Sequence, residues 1–258
     1  MRIISLNANG IRSAARKGFF EWVSEIDADI ICLQETRAQV VQLDETFFPK
    51  GYHCQYIEAQ KKGYSGVAIY SKQAPEKVIT TFGHELSDVE GRYIQYDFKT
   101  FAVISLYLPS GSSGDARQAL KYEFLDAFEA HLIALKALER PFVVCGDWNI
   151  VHTQKDIKNW KGNQKNSGCL PQERAWLDKL FDDVGFVDAF RAVNQEEHQY
   201  TWWSNRGQSW ANNTGWRIDY QVITPDLRDA VKEVSIYKAQ RFSDHAPLII
   251  EFEESAFV

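Results

Sequence analysis

The sequence predicts an α/β domain whose sheets are covered on the outside by helices. Three observations lead there. Short apolar runs rich in β-branched residues recur along the chain, and most of them end in polar residues. Amphipathic stretches with helical spacing lie between several of these runs. Other runs follow one another without a helix, so some strands are expected to meet directly.

The run RIISL, ending at Asn7, reads as the first strand. Residues 16–26 place Phe19, Phe20, Val23 and Ile26 on one face and predict a helix. DIICL is the next strand and is followed by Gln34 and Glu35. Further strands are expected over 66–71, 92–98 and 101–107. AVISLY runs into Pro109, and PSGSSGD at 109–115 reads as a loop between a strand and a helix. Residues 115–138 form a long amphipathic stretch, and FVVCG then leads into Asp147. Pro171 suits the start of a helix over 172–182. RIDYQVIT and PLIIEF complete a second set of strands. A weak likeness between IISLNAN and VVCGDWN hints at two similar halves. No linker or composition shift divides the chain, so residues 1–258 are expected to form one domain.

Composition narrows the class. The chain has 258 residues, 45% hydrophobic and 25% charged, which suits a folded core and not a disordered chain. No apolar run approaches the ~20 residues that span a bilayer. The opening MRIISLNANG turns polar at Asn7, too soon for a signal peptide. The expectation is a soluble cytoplasmic monomer with no membrane partner and no obligate protein partner. Cys32, Cys54, Cys145 and Cys169 contain no CxxC spacing. Structural zinc and disulfides are therefore not expected, and Cys32 and Cys145 read as buried small hydrophobes.

The net charge of −6 argues against a nucleic-acid binder as a bulk property. Distribution matters more. Residues 155–165 carry four lysines, including Lys161 and Lys165, against one aspartate. Arg12, Arg16, Lys17, Lys61, Lys62, Arg206 and Arg217 add to a possible basic face, although solvated surface lysines are the plainer reading of any one cluster.

Chemistry-bearing residues fall at or beside the ends of apolar runs: Asn7, Asn9, Glu35, Tyr107, Asp147, Asn149, Asp219, Asp244 and His245. Strand ends gathered at one sheet edge build sites. In GDWN at 146–149 an aspartate and an asparagine two apart share a face if the strand continues; otherwise the segment is a simple turn. SDHAP at 243–247 puts a carboxylate beside a histidine, an arrangement that keeps imidazole protonated and able to hold a phosphate oxygen. LQET offers Glu35 as a hard magnesium ligand or as a helix-capping acid. Tyr107 in YLPS stands beside a turn, where a half-buried aromatic is the plainer reading.

The order SLNANGIR, LQET, YLPS, GDWN, KNSGCLPQER, YTWWS, GWRIDY, SDHAP resembles the exonuclease III family of abasic-site endonucleases, from Met1 to about Phe252. KNSGCLPQER and GWRIDY are its specific elements. The wider endonuclease/exonuclease/phosphatase superfamily, with deoxyribonuclease I and the inositol-polyphosphate phosphatases, shares the other themes.

The resemblance implies a four-layered α/β sandwich, two packed mixed β-sheets flanked by helices, of the deoxyribonuclease I-like kind. It implies a DNA-repair hydrolase that cuts the phosphodiester 5′ to an abasic site in double-stranded DNA and leaves a 3′-hydroxyl. Trimming of 3′ ends, as 3′-phosphatase, 3′-phosphodiesterase or 3′→5′ exonuclease, is implied as well. The implied cofactor is Mg2+, with Mn2+ as a substitute. Glu35 would be the principal metal ligand, with Asn7, Asp147, Asn149, Asp244 and His245 on the metal side. Asp147 would deprotonate the attacking water, Asn149 would hold it, and Tyr107 would bond the phosphate. Asp219 would orient His245 against the scissile phosphate. Asn159, Asn163, Asn166 and Arg206 would grip DNA. Trp202, Trp216 and Ile218 would form a small apolar pocket for the baseless sugar, and 205–214 a DNA-probing loop; Trp203 reads as core. Two positions depart from parts of the family: Asn9 stands where some relatives have aspartate, and Ser110 where vertebrate-type members have asparagine. No long extension stands ahead of the first motif, so no redox or nuclear-import segment is expected.

Two rival readings compete with this one. A phosphoinositide or lipid phosphodiesterase is opposed by KNSGCLPQER and the tryptophan-rich stretch. A catalytically dead DNA-binding module is opposed by the intact set Glu35, Asp147, Asn149, Asp219 and His245.

Overall fold

In the computed structural model, which describes residues Met1–Val258, fourteen strands follow in chain order. They are β1 (Arg2–Asn7), β2 (Ile30–Gln34), β3 (His53–Ile57), β4 (Val67–Ser71), β5 (Lys77–Ile79), β6 (Tyr93–Asp97) and β7 (Ala102–Tyr107). Then come β8 (Phe142–Asp147), β9 (Val187–Asp188), β10 (Trp202–Trp203), β11 (Gly215–Trp216), β12 (Asp219–Ile223), β13 (Val231–Ile236) and β14 (Leu248–Phe252). Two six-stranded mixed sheets result, ordered β13-β14-β1-β2-β4-β3 and β5-β6-β7-β8-β12-β9, with β10 and β11 forming a separate ribbon.

The layering follows from alternation along each strand, since neighbouring residues point to opposite faces. Ile3 on β1 and Val143 and Cys145 on β8 face the core between the sheets, with Cys32, Val67, Val103 and Ile223. Ile4 and Leu6 point outward and meet Phe19, Trp22 and Val23 of helix Phe19–Ile26. Val144 points outward on the other side and meets Phe124, Phe128 and Leu132 of helix Asp115–Lys136 and Trp176 and Leu177 of helix Pro171–Lys179. Helix, sheet, sheet, helix is the four-layered sandwich that the resemblance implied. No helix is long and apolar enough to cross a membrane.

The two sheets are built alike. β1 has a parallel neighbour in β2 and an antiparallel one in β14; β8 has β7 and β12 in the same relation. The sequence likeness of IISLNAN and VVCGDWN therefore marks the matching central strands. RIDYQVIT and PLIIEF do not form a set together: β12 joins one sheet and β14 the other. The expected 16–26 helix begins only at Phe19, because Gly18 takes a left-handed φ of 84° and separates it from a short helix over Ile11–Ala15. β3, β5, β13 and helix Glu85–Glu90 escaped the sequence reading; much of their length is exposed, so they carry little apolar periodicity.

Candidate active site

β1 and β8 end at the same edge and leave their sheets by the same local device. Asn7 Oδ1 accepts the Asn9 backbone N–H at 2.9 Å, and Asp147 Oδ1 accepts that of Asn149 at 2.9 Å. Asn9 and Asn149 take positive φ values of 43° and 51°, a conformation asparagine tolerates better than most residues. Glu35, just past β2, has φ 54°, where a glutamate has no such ease. Strained backbone of this kind costs of order 1–3 kcal/mol per residue and gathers at functional sites.

These turns bring the charged groups together. The buried Asn7 carboxamide donates to Glu35 Oε2 at 2.9 Å and to Asp147 Oδ2 at 2.8 Å, joining the two carboxylates. Glu35 Oε1 is paired with the Arg37 guanidinium, whose Nε lies at 2.8 Å. Strand register puts Asp147 opposite both Tyr107 on β7 and Asp219 on β12. Asp219 Oδ2 accepts from His245 Nδ1 at 2.8 Å, and His245 Nε2 stands 3.9 Å from Asp147 Oδ2. Burial pushes the imidazolium down, but the Asp219, Asp147 and Asp244 carboxylates outweigh it and raise His245 to about 10. Burial and the Asp219 charge push Asp147 up to about 7, against the pull of His245 and Asn7. Asn149 is aimed by its Nδ2 bond to Leu108 O at 2.9 Å. The Tyr107 ring lies under the Arg92 guanidinium at 4.6 Å, and burial and then Glu35 raise its hydroxyl well above its ordinary value.

Asp244 sits differently from the other acids. Its Oδ1 accepts from Asn9 Nδ2 at 2.8 Å and Ser243 Oγ at 3.1 Å, and its Oδ2 accepts from Trp202 Nε1 at 3.1 Å. Both oxygens are already used to orient neighbours. Burial opposes its charge, yet His245, Asn9 and Trp202 hold its carboxyl below the usual range.

A cavity of about 830 Å3 opens over this cluster. Glu35, Tyr107, Asp147, Asn149, Asp244 and His245 line it together with Trp202, Trp216 and Ile218. The two tryptophans are cross-strand partners of the β10–β11 ribbon and meet edge to face at 5.8 Å. Gly168 packs on this wall: a Cβ there would stand 3.0 Å from the Asn149 carbonyl oxygen and 3.2 Å from the Trp216 ring. Lys165, Asn166, Arg206 and Ser110 complete the rim. Asn7 and Asp219 lie buried just behind the cavity surface. Asn159 and Asn163 do not line it. Asn163 Oδ1 instead accepts from Asn166 Nδ2 at 2.8 Å, and Asn163 Nδ2 donates to the Asn159 carbonyl at 2.8 Å. Trp203 is core, against Trp210 and Tyr200. Arg37 and Arg92 were missed. Arg37 is two residues from Glu35 and could have been found; Arg92 reaches Tyr107 only through the β6–β7 pairing, which no local motif signals.

Carboxylate and carboxamide oxygens dominate the donor set around Glu35, Asn7 and Asp147, and the single imidazole is committed at Nδ1 to Asp219. One ligand atom each from Asp147, Asp219 and His245 also lies within 4.8 Å of the others. The set fits a hard divalent cation and does not fit a thiolate or multi-histidine zinc cage.

The endonuclease/exonuclease/phosphatase family model matches residues 4–245. An exodeoxyribonuclease of Bacillus subtilis (strain 168) is 40% identical over 250 residues, covering 96% of this chain and 98% of that protein. A DNA-(apurinic or apyrimidinic site) endonuclease of Dictyostelium discoideum is 36% identical over 96% of this chain and 69% of its own. The solved AP endonuclease of Archaeoglobus fulgidus superimposes with a TM-score of 0.89 at 28% identity, over 98% of this chain and 99% of that one. With the sandwich, the paired strand-end turns and these likenesses in agreement, the chain belongs to the endonuclease/exonuclease/phosphatase family, among its exonuclease III-like AP endonucleases.

Proposed function

We propose that the protein is a magnesium-dependent DNA-repair hydrolase that cuts the phosphodiester 5′ to an abasic site in duplex DNA and leaves a 3′-hydroxyl. One observation carries the reading. Glu35, Asp147 and His245, held from behind by Asn7 and Asp219, share a cavity with an apolar wall of Trp202, Trp216 and Ile218. Acid–base and phosphate-holding groups thus stand beside a surface suited to a sugar without a base.

Each residue has a role in that reaction. Glu35, Asn7 and Asp147 would hold the cation, which when bound supplies positive charge to the phosphate oxygens. Asp147, raised toward neutrality, takes the proton of a water as its oxygen attacks phosphorus. The P–O3′ bond breaks, and the leaving 3′-oxygen takes a proton from solvent to become the hydroxyl. Asn149 and Tyr107 donate to the phosphoryl oxygens, and His245, kept cationic by Asp219, stabilises the charge that develops there. Asp244 serves by orienting Asn9 and Trp202. Lys165, Asn166 and Arg206 meet the DNA backbone. The same chemistry serves a 3′-terminal phosphate or blocking group, so 3′-end trimming belongs to the proposal.

The test is a duplex oligonucleotide carrying one abasic analogue. Cleavage 5′ to the lesion is expected with magnesium, none with excess chelator, and recovery when magnesium is restored. Full activity in chelator removes the metal from the mechanism; no cleavage in magnesium removes the substrate.

A further inference from the structure

Lys121 and Glu173 form a charged pair shut off from solvent, with both side chains 0% exposed. Lys121 comes from helix Asp115–Lys136 and Glu173 from the first turn of helix Pro171–Lys179. Neither lines the cavity. Burial lowers the Lys121 ammonium from its ordinary value, with Glu173 opposing the shift. A buried ion pair is a poor route to stability, since apolar residues of similar volume often do as well or better. What this pair achieves lies in its remaining bonds.

Lys121 Nζ donates to Glu173 Oε1 at 2.5 Å and to the backbone carbonyl of Asn149 at 2.8 Å. Glu173 Oε2 accepts the backbone N–H of Gly168 at 2.6 Å and of Leu170 at 3.1 Å. Gly168 in turn accepts from the Val151 N–H at 2.7 Å through its carbonyl. The pair therefore joins the strained turn at Asn149 to the segment 165–170, which lines the cavity beside Trp216.

We propose that Lys121 and Glu173 are positioning residues for phosphodiester cleavage, fixing Asn149 and the 165–170 wall at one separation. This rests on the function proposed above. Neither group touches the substrate. A displacement of about 1 Å at a reacting group lowers rates by about 100-fold, so the pair acts on the chemical step more than on DNA affinity.

The Lys121→Met single variant strands a buried carboxylate and is open to misfolding. The decisive variant is Lys121→Met/Glu173→Leu, which removes both charges together, with Lys121→Arg as the conservative partner. Single-turnover cleavage and binding of the abasic duplex are measured beside wild type. Amide hydrogen exchange is followed at the backbone N–H groups of Asn149 and Val151, which bond Asp147 and Gly168 and not the pair itself. The double variant is expected to unfold cooperatively, bind DNA about as tightly as wild type, cleave about 100-fold more slowly, and exchange faster at those two amides. Lys121→Arg should recover most of the rate. Wild-type cleavage by the folded double variant overturns the proposal. So does an equal fall in affinity and rate that Lys121→Arg does not relieve, since that is the mark of general structural support. If wild type itself leaves abasic DNA uncut, the functional reading falls, and the exchange data still decide the pair: unchanged protection at Asn149 and Val151 refutes it.

Discussion

His245 and Asp219 show how one bond sets the chemistry of a residue. Burial alone would leave the imidazole neutral near physiological pH, yet the carboxylate 2.8 Å away helps lift it to about 10. The sign is clear: a raised pKa means the cation persists below about 10 and is lost above it. Asp219→Asn should lower the His245 pKa, move the alkaline limb of the kcat profile to lower pH, and slow turnover by about 10²–10⁴-fold. A variant with wild-type rate and an unmoved alkaline limb would refute the pairing. The role proposed for Trp216 bears on selectivity as well as rate. A baseless sugar has no stacking to lose on leaving the helix, whereas a normal nucleotide loses a few kcal/mol, and on the proposed reading the edge-to-face tryptophans wall the part of the cavity that takes the sugar. Trp216→Ala should lower abasic-site cleavage and raise the relative rate on base-bearing nucleotides. The quantity to compare is the ratio of kcat/KM for the two substrates; a constant ratio with both rates reduced would make Trp216 a packing residue.

Elements are held in register around the site by buried charges as well as by apolar packing. Arg217, fully buried just before β12, donates to Asp156 at 2.7 Å and to Asp188 on β9 at 2.7 Å, and Arg191 reaches the same Asp156 oxygen at 2.7 Å. Burial opposes the Asp156 charge, but the two guanidiniums hold its carboxyl well below the usual range. A depressed pKa contributes stability above the unfolded value near 4 and loses it progressively as pH falls below that. Asp156→Asn should therefore cost about 3 kcal/mol at neutral pH, since it leaves Arg217 with Asp188 alone and takes the carboxylate from Arg191, and the gap to wild type should narrow below about pH 4. Urea titrations at pH 7 and pH 3 decide it; an equal gap at both would show that the ion pairs do not supply the stability. This network also marks where reading from sequence stops. The apolar strands and the polar residues that end them were legible because burial and turn chemistry are local. GWRIDY was noticed, but as a motif containing a basic residue, Arg217, whose role is internal: its partners lie 61 and 29 residues away. The resemblance offered Asn159 and Asn163 as DNA contacts, but the bonds of Asn163 to the Asn159 carbonyl and to Asn166 could not be read from it.

At the scale of the whole molecule, the net charge of −6 overstates the negative surface. Asp147, Asp156, Glu173, Asp188 and Asp219 are all buried, against Arg92, Lys121, Arg217 and the protonated His245 among the cations. The carboxylates within the site are the ones a cation would neutralise. Cations, by contrast, stand around the opening: Lys165, Arg206 and Arg37 line the cavity, and Arg12 and Arg16 line an adjoining one that shares Arg37. The field met by an approaching duplex is set by this rim and not by the sum over the chain, because charges more than about 8 Å apart are largely screened at physiological salt. Binding should therefore be strongly salt-dependent despite the acidic total. Each phosphate neutralised contributes about −0.9 to the slope of log K against log salt on duplex DNA. Lys165→Ala and Arg206→Ala should each flatten that slope by about one phosphate and weaken damaged and undamaged duplexes nearly equally. The measurement is affinity for both duplexes between 50 and 200 mM salt, a range over which several phosphate contacts lower affinity by about 10³-fold or more. A flat wild-type response would show that the rim is not the DNA face. A loss confined to the damaged duplex would show that these cations read the lesion and not the backbone.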